Sequence, residues 1–273
     1  MWYVLLGIAT VLELIYVMRK FKNRRLATAF YLTLLGVTLN FETSILIFLK
    51  AYSYQPKILV SHPVPFDDVL AGNVFSQTSV AASVLLVTVL HFHRYWYLIL
   101  AFGYGLVEEA FLALGVYSHN WYRTWMTVLG VPLFCWLAGK MYAACLRGLR
   151  PTIRYVYTFL ALFPLYVVII VWGLMLLRLQ EFNAQALSDP IWSRHLLALI
   201  HFWLLSASTM LMYFLRLSWR WKALIFAAEY AFYYWTYRAG MIWIKDGLFL
   251  PVATLSIFSL YFSVVLMDWL YEA

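Results

Sequence analysis

Charge is scarce in this chain, and acid scarcer than base: 12 Asp and Glu stand against 20 Lys and Arg in 273 residues, and only 12% of the residues are charged. That poverty excludes an ordinary soluble domain, because 65% hydrophobic residues and a mean hydropathy of +0.79 leave too little polar surface to cover a water-facing core. Cysteine is nearly missing as well, with Cys135 and Cys145 alone. They lie about 15 Å apart along one helix, so they cannot pair with each other within it, and their spacing matches no redox or zinc motif. Gly/Ser linkers, low-complexity tracts and long repeats are likewise not apparent. A single helical domain over 1–273 is expected.

What remains is apolar and aromatic. A window of about 20 residues, the length that crosses about 30 Å of hydrocarbon, marks nine spans near 2–18, 26–49, 69–90, 95–117, 121–146, 153–177, 195–216, 223–244 and 248–271. The fold class expected is therefore all-α, a polytopic transmembrane bundle of about nine spans. The first span is expected to be a membrane span rather than a signal peptide, since no basic segment precedes Trp2, no small-residue cleavage site follows the apolar stretch, and its charges follow in Arg19–Arg25. The eighth differs from the rest, because 227–238 is aromatic and polar rather than aliphatic.

Basic residues orient the bundle. One set of alternate connectors carries Arg19, Lys20, Lys22, Arg24, Arg25, Arg94, Arg147, Arg150, Arg154, Arg216, Arg220 and Lys222. The other set carries only Lys50, Lys57, Arg123, Arg178, Arg194 and Lys245. The two-to-one bias obeys the positive-inside rule and puts the N-terminus outside and the C-terminus in the cytoplasm. The formal charge of +8 is thus directed at anionic lipid, and nucleic acid is excluded as a partner.

Carboxylates inside spans are costly and draw attention for that reason. Glu108 and Glu109 adjoin each other in span four, and either is a candidate acid. At comparable depth lie Asn40 and Glu42 in span two, His201 in span seven and Arg238 in span eight. With His119 they define an expected outward-facing polar pocket: Asn40, Glu42, Glu108, Glu109, His119, His201 and Arg238. The segment His62–Asp68 is expected near its mouth, and Glu13, Lys140, Glu229 and Asp268 are expected as a second, inner ionic group. A regular helix separates Glu108 from His119 by about 16 Å, too far for contact. No metal site and no cofactor are expected, since the spacing of His, Glu, Asp and Cys provides no convergent ligand set.

Glu108-Glu109 resembles the Glu-Glu-x-x-x-Arg motif of CAAX-type prenyl peptidases, but Ala113 stands in the arginine position and matching histidine motifs do not follow. It also resembles the acidic pair of membrane carotenoid cyclases, without the preceding proline. The segment 105–127, with Asn40-Phe41-Glu42 and Tyr54-Gln-Pro-Lys57, is more similar to a family of multi-spanning membrane proteins of spore-forming Gram-positive bacteria. That resemblance covers about a third of the chain and implies a bacterial plasma-membrane protein, with no activity to carry over. Three functions are compatible with these residues: a non-catalytic membrane component, a proton- or ion-coupled carrier of a small solute, or an intramembrane enzyme acting on a lipid or isoprenoid. The expected partners are the bilayer and a small solute or lipid ligand.

Overall fold

A computed structural model describes residues 2–183, 185 and 187–272. The chain forms two compact units that meet in sequence at Arg150 and Pro151. The first holds α1 (Trp2–Lys20), α2 (Arg24–Glu42) running into a π-helical turn (Thr43–Phe48), β1 (Tyr52–Tyr54), α3 (Phe66–Val89), α4 (Tyr95–Ala113), β2 (Tyr117–His119) and α5 (Thr124–Leu146). The second holds α6 (Pro151–Leu162), a π-helical segment (Phe163–Trp172), α7 (Gly173–Leu176), β3 (Gln180–Phe182), α8 (Pro190–Phe214), α9 (Trp219–Arg238), β4 (Ile242–Ile244) and α10 (Phe249–Tyr271).

Local chemistry explains the element ends. The Asn23 side chain caps α2 by accepting the Leu26 N–H, and Asp189 caps α8 by accepting from Ile191 and Trp192, with Pro190 in the first turn. Helices α4 and α9 stop at Gly115 and Gly240, both in the left-handed region that a residue without Cβ enters freely. Spans four and eight were expected to run to 117 and 244. They end at Ala113 and Arg238 instead, because the chain turns at these glycines and enters a strand.

Among the described residues, eight helices are long and apolar enough to cross a membrane, and each matches one expected span. Their outer faces are apolar too: Leu12, Phe102, Leu106, Leu129 and Phe262 are each more than half exposed. Contiguous surfaces of this kind are unfavourable in water and ordinary in lipid. Helix α9, with its tyrosines and Glu229, falls below the hydropathy of the other eight.

The two units repeat one topology, a regularity that sequence similarity did not reveal. Each runs from a helix with a π-helical stretch through a strand, two helices and a second strand to a final helix. The strand pairs are antiparallel and share a register: Tyr52, Ser53 and Tyr54 face His119, Ser118 and Tyr117, as Gln180, Glu181 and Phe182 face Ile244, Trp243 and Ile242. The flanking bonds also correspond. The Gln55 and Asn120 N–H groups donate to the Val116 and Ala51 carbonyls, and those of Asn183 and Lys245 donate to Met241 and Leu179. Left-handed residues fall in matching places: Lys50 and Arg178, His91 and Arg216, Gly115 and Gly240. Helix α1 precedes the first repeat and has no counterpart in the second among the described residues.

Small residues let the first unit close on α3, where Ala71, Ala81, Ala82, Val84 and Leu85 are buried. Gly72 admits Tyr54 so closely that an added Cβ would lie 2.6 Å from that side chain. In the second unit, Ala253, Ile257, Leu260 and Val264 of α10 are fully buried.

Candidate functional site

The strand pair β1–β2 draws the ends of α2, α4 and α5 into one polar cluster. Its floor is aromatic. The Tyr52 ring lies 5.6 Å from Tyr54, 5.3 Å from Tyr117 and 4.9 Å from Tyr122, and Tyr117 lies 5.3 Å from the His119 imidazole. Tyr3 of α1 joins this core and donates its hydroxyl to the Val116 carbonyl at 3.0 Å.

Two carboxylates stand in that setting. Glu42, at the end of α2 and 5% exposed, accepts the Tyr52 hydroxyl on Oε1 at 2.5 Å. Its Oε2 is buried with no hydrogen-bond partner among the described residues. Glu108 is engaged on both oxygens, Oε1 lying 2.6 Å from His119 Nε2 and Oε2 accepting from the Thr127 hydroxyl. Thr127 has one proton, so Tyr122, 3.0 Å away, donates to Thr127. A directed chain results, from Tyr122 through Thr127 to Glu108, closed on the other side by His119.

The expected separation of Glu108 and His119 is overturned. The estimate assumed one continuous helix, but α4 ends at Ala113 and the left-handed Gly115 turns the chain back, so β2 returns His119 to the side of α4. The two adjacent glutamates do part company, as a separation of about 100° around a helix requires. Glu109 is exposed and accepts the Thr124 hydroxyl at 2.5 Å, whereas Glu108 faces inward.

Asn40 does not join the cluster through its amide nitrogen, which donates back to the Gly36 carbonyl of its own helix at 2.7 Å. Asp68 holds the loop before α3 by accepting the Lys57, Ile58 and Leu59 amides, and His62 lies 3.1 Å from buried Asp67. His201 and Arg238 belong to the second unit. His201 is 3% exposed, enclosed by Phe182, Phe232 and Tyr233, and neither ring nitrogen has a hydrogen-bond partner among the described residues. Arg238 is exposed at the end of α9.

The expected inner ionic group does not form within either unit. Glu13 accepts from Ser83, Lys140 lies over the Trp136 ring, Glu229 accepts from Ser208 and Thr209, and Asp268 pairs with Arg154 at 2.6 Å. Hydroxyl partners on neighbouring helices satisfy Glu13 and Glu229, whereas Asp268 takes an arginine from α6.

Sequence reasoning missed Tyr52, Tyr54, Tyr117, Tyr122 and Thr127. A signal was present: Tyr52-Ser-Tyr54 and Tyr117-Ser-His119 alternate large and small with a strand's period, and Gly115 precedes the second. Burial in this cluster raises the Tyr52, Tyr54 and Tyr117 phenols well above their ordinary range, with nearby ionisable groups adding to it. Tyr122 is pushed up to about 12, first by desolvation and then by the charges of Glu108 and Glu42, against a lowering bond from Thr127.

The repeat shows that the cluster is not a requirement of the architecture. In place of Glu42, Tyr54, Glu108, His119 and Thr127 the second unit has Ile170, Phe182, Tyr233, Ile244 and Val252. There Tyr233 donates directly to Gln180, which stands in the place of Tyr52. One topology is thus stable with a nearly apolar filling, so the charged filling of the first unit marks it as the candidate site.

Comparison with protein-family models, with curated proteins and with solved structures finds no match for this chain. The helices define its class without them: it is an integral membrane protein of many apolar helices. More particularly, it is a membrane protein of two like-folded units, of which the first carries a carboxylate–histidine–tyrosine cluster.

Proposed function

We propose that the protein is a non-catalytic component of the plasma membrane, with an outward-facing polar pocket at the strand-bearing end of its first unit. The observation that carries this reading is the closed bonding around Glu108. Both its oxygens are occupied, by His119 and Thr127, so Glu108 ties α4, β2 and α5 together as a clamp.

Nine crossings, N-terminus outside and C-terminus cytoplasmic, complete the reading. The ninth is α9. Strand β3 precedes α8 and β4 follows α9, and the two strands are paired, so the path taken by α8 is retraced by α9. If α8 crosses the bilayer, α9 crosses back. Its tyrosines and Glu229 are compatible with that depth because Glu229 and Tyr233 are buried against neighbouring helices.

One observation favours a second reading, a proton- or ion-coupled carrier of a small solute: the unpartnered Oε2 of Glu42 beside a second carboxylate. Reconstituted vesicles separate the two. Wild-type protein, Glu42→Gln and Glu108→Gln are compared for proton and solute flux and for the masses of extracted lipids. The non-catalytic reading expects no flux and no altered lipid with any of them, and lower thermal stability for Glu108→Gln. A wild-type flux abolished by Glu42→Gln establishes the carrier, and a lipid product lost with Glu108→Gln establishes an enzyme.

A further inference from the structure

Besides the polar cluster, the first unit has a second feature without an assigned role. At the far end of α1 and the start of α2, Arg19, Lys20, Phe21, Lys22, Asn23, Arg24 and Arg25 line an open groove of about 510 Å³. Five of these seven residues are basic, and no acid occurs between Glu13 and Glu42. Glu13 is engaged with Ser83, 3.0 and 2.9 Å away. Arg154, at the start of α6, pairs within its own unit with Asp268 and Glu272.

We propose that this groove is a binding site for the phosphate of an anionic lipid headgroup. Several like charges on a concave wall focus the potential, and a phosphodiester matches them in charge and in acceptor oxygens. Part of the wall is set in advance. The Met18 carbonyl accepts Arg24 Nε at 2.9 Å, which holds the guanidinium at the end of α1. Asn23 accepts the Leu26 N–H and so fixes the start of α2, whose N-terminal dipole adds positive potential at the same point.

The same wall favours a lipid over a soluble phosphate. The exposed face of α1 leading to the groove is apolar, with Ile8, Val11, Leu12, Ile15 and Tyr16 each between 44% and 62% exposed. An acyl chain lying along that face leads its headgroup to the level at which both helices leave the hydrocarbon. A soluble anion would use only the basic half of the surface. The inference stands apart from the polar cluster and does not depend on its role.

The full chain, purified in an uncharged detergent, tests the proposal. Its unfolding midpoint is followed as dioctanoyl phosphatidylglycerol, dioctanoyl phosphatidylcholine or glycerol 1-phosphate is added. Stabilisation that saturates with phosphatidylglycerol is expected, with none from phosphatidylcholine and at least ~tenfold weaker binding of glycerol 1-phosphate. Arg19→Gln/Lys20→Gln/Lys22→Gln alters three exposed side chains and leaves Arg24 and Asn23 in place. It should weaken phosphatidylglycerol by about a hundredfold, at roughly fivefold per basic residue. The control Arg216→Gln/Arg220→Gln/Lys222→Gln removes equal charge elsewhere and should bind as wild type does.

Equal weakening in the control overturns the proposal, because general surface charge would then explain the binding. Equal binding of phosphatidylcholine overturns it as well. Glycerol 1-phosphate binding as tightly as the lipid overturns the lipid source and identifies a soluble phosphate. If the triple variant has a lower midpoint without ligand, Lys22→Gln alone is used, with about fivefold weakening expected and no weakening overturning the proposal.

Discussion

His119 Nε2 lies 2.6 Å from Glu108 Oε1, eleven positions along the chain from a residue on a helix it has already left. The contact exists because Gly115 reverses the chain and β1 holds the returning strand in register. It is also shielded, with the two side chains 13% and 10% exposed. A charge-assisted bond in such a place differs in weight from a surface pair.

Glu108 and His119 should therefore be energetically coupled. Glu108→Gln is expected to cost about 2 kcal/mol, and the double-mutant cycle with His119→Asn should yield a coupling of about 1 kcal/mol or more. Unfolding of the purified protein in mixed micelles measures both. Additive effects of the two substitutions would remove the clamp.

The left-handed positions make a second, opposite-signed pair of expectations. A Cβ added at Gly115 or Gly240 meets nothing within 4 Å, so alanine at either should cost only backbone strain, about 1 kcal/mol. Lys50 and Arg178 carry the same strain already, at φ 47° and 54°. Arg178→Gly should leave stability unchanged or raise it by up to about 1 kcal/mol, and a clear loss would show that its side chain contributes more than its backbone costs.

Alkali should unfold the first unit. Its clustered tyrosines have folded-state pKa values above their unfolded ones, so folding favours the neutral phenol. Their contribution is complete below the ordinary value of 10 and is lost as pH rises through the folded value, about 12 for Tyr122. Phenolate absorbance should appear late and together with loss of helix. Early ionisation without unfolding would show the cluster to be open to water.

Labelling can test the ninth crossing. Cys135 is buried and Cys145 partly so, which leaves a quiet background for impermeant maleimides. Single cysteines at Ser61 and Asp246 should react from the outer face of intact cells, and a C-terminal reporter should act in the cytoplasm. An extracytoplasmic reporter would return α9 to the interface and leave eight crossings.

Much of the frame was legible in sequence because hydropathy over a 20-residue window reports a solvent, lipid, and every span answers to the same solvent. Glu42 and Glu108 were legible for the same reason, as expensive exceptions. Their partners were not. Tyr52, Tyr122 and Thr127 lie on other elements, and the 16 Å between Glu108 and His119 held only if no turn intervened. The repeat was not legible either, because its equivalent positions hold unlike residues, Glu42 and Ile170 or His119 and Ile244. Glu42, Glu108 and Glu229 each sit in an aromatic or aliphatic run, yet they are not equivalent positions: Glu108 corresponds to Tyr233, and Glu229 to Tyr104, these last two each bonding an equivalent serine, Ser208 and Ser83.

By itself, then, the sequence determined the solvent, the places of eight long apolar helices, the connectors that carry basic charge and the few acids within apolar runs. Those are properties of composition along a line. Only the tertiary structure decided that two strand pairs share one register, that Glu108 is bonded on both oxygens while Glu42 Oε2 has no partner among the described residues, and that the second unit fills most of the same positions with apolar groups. Such facts depend on two turns at left-handed glycines and on hydrogen bonds between distant segments, where contact is set by the path of the backbone rather than by spacing in the chain.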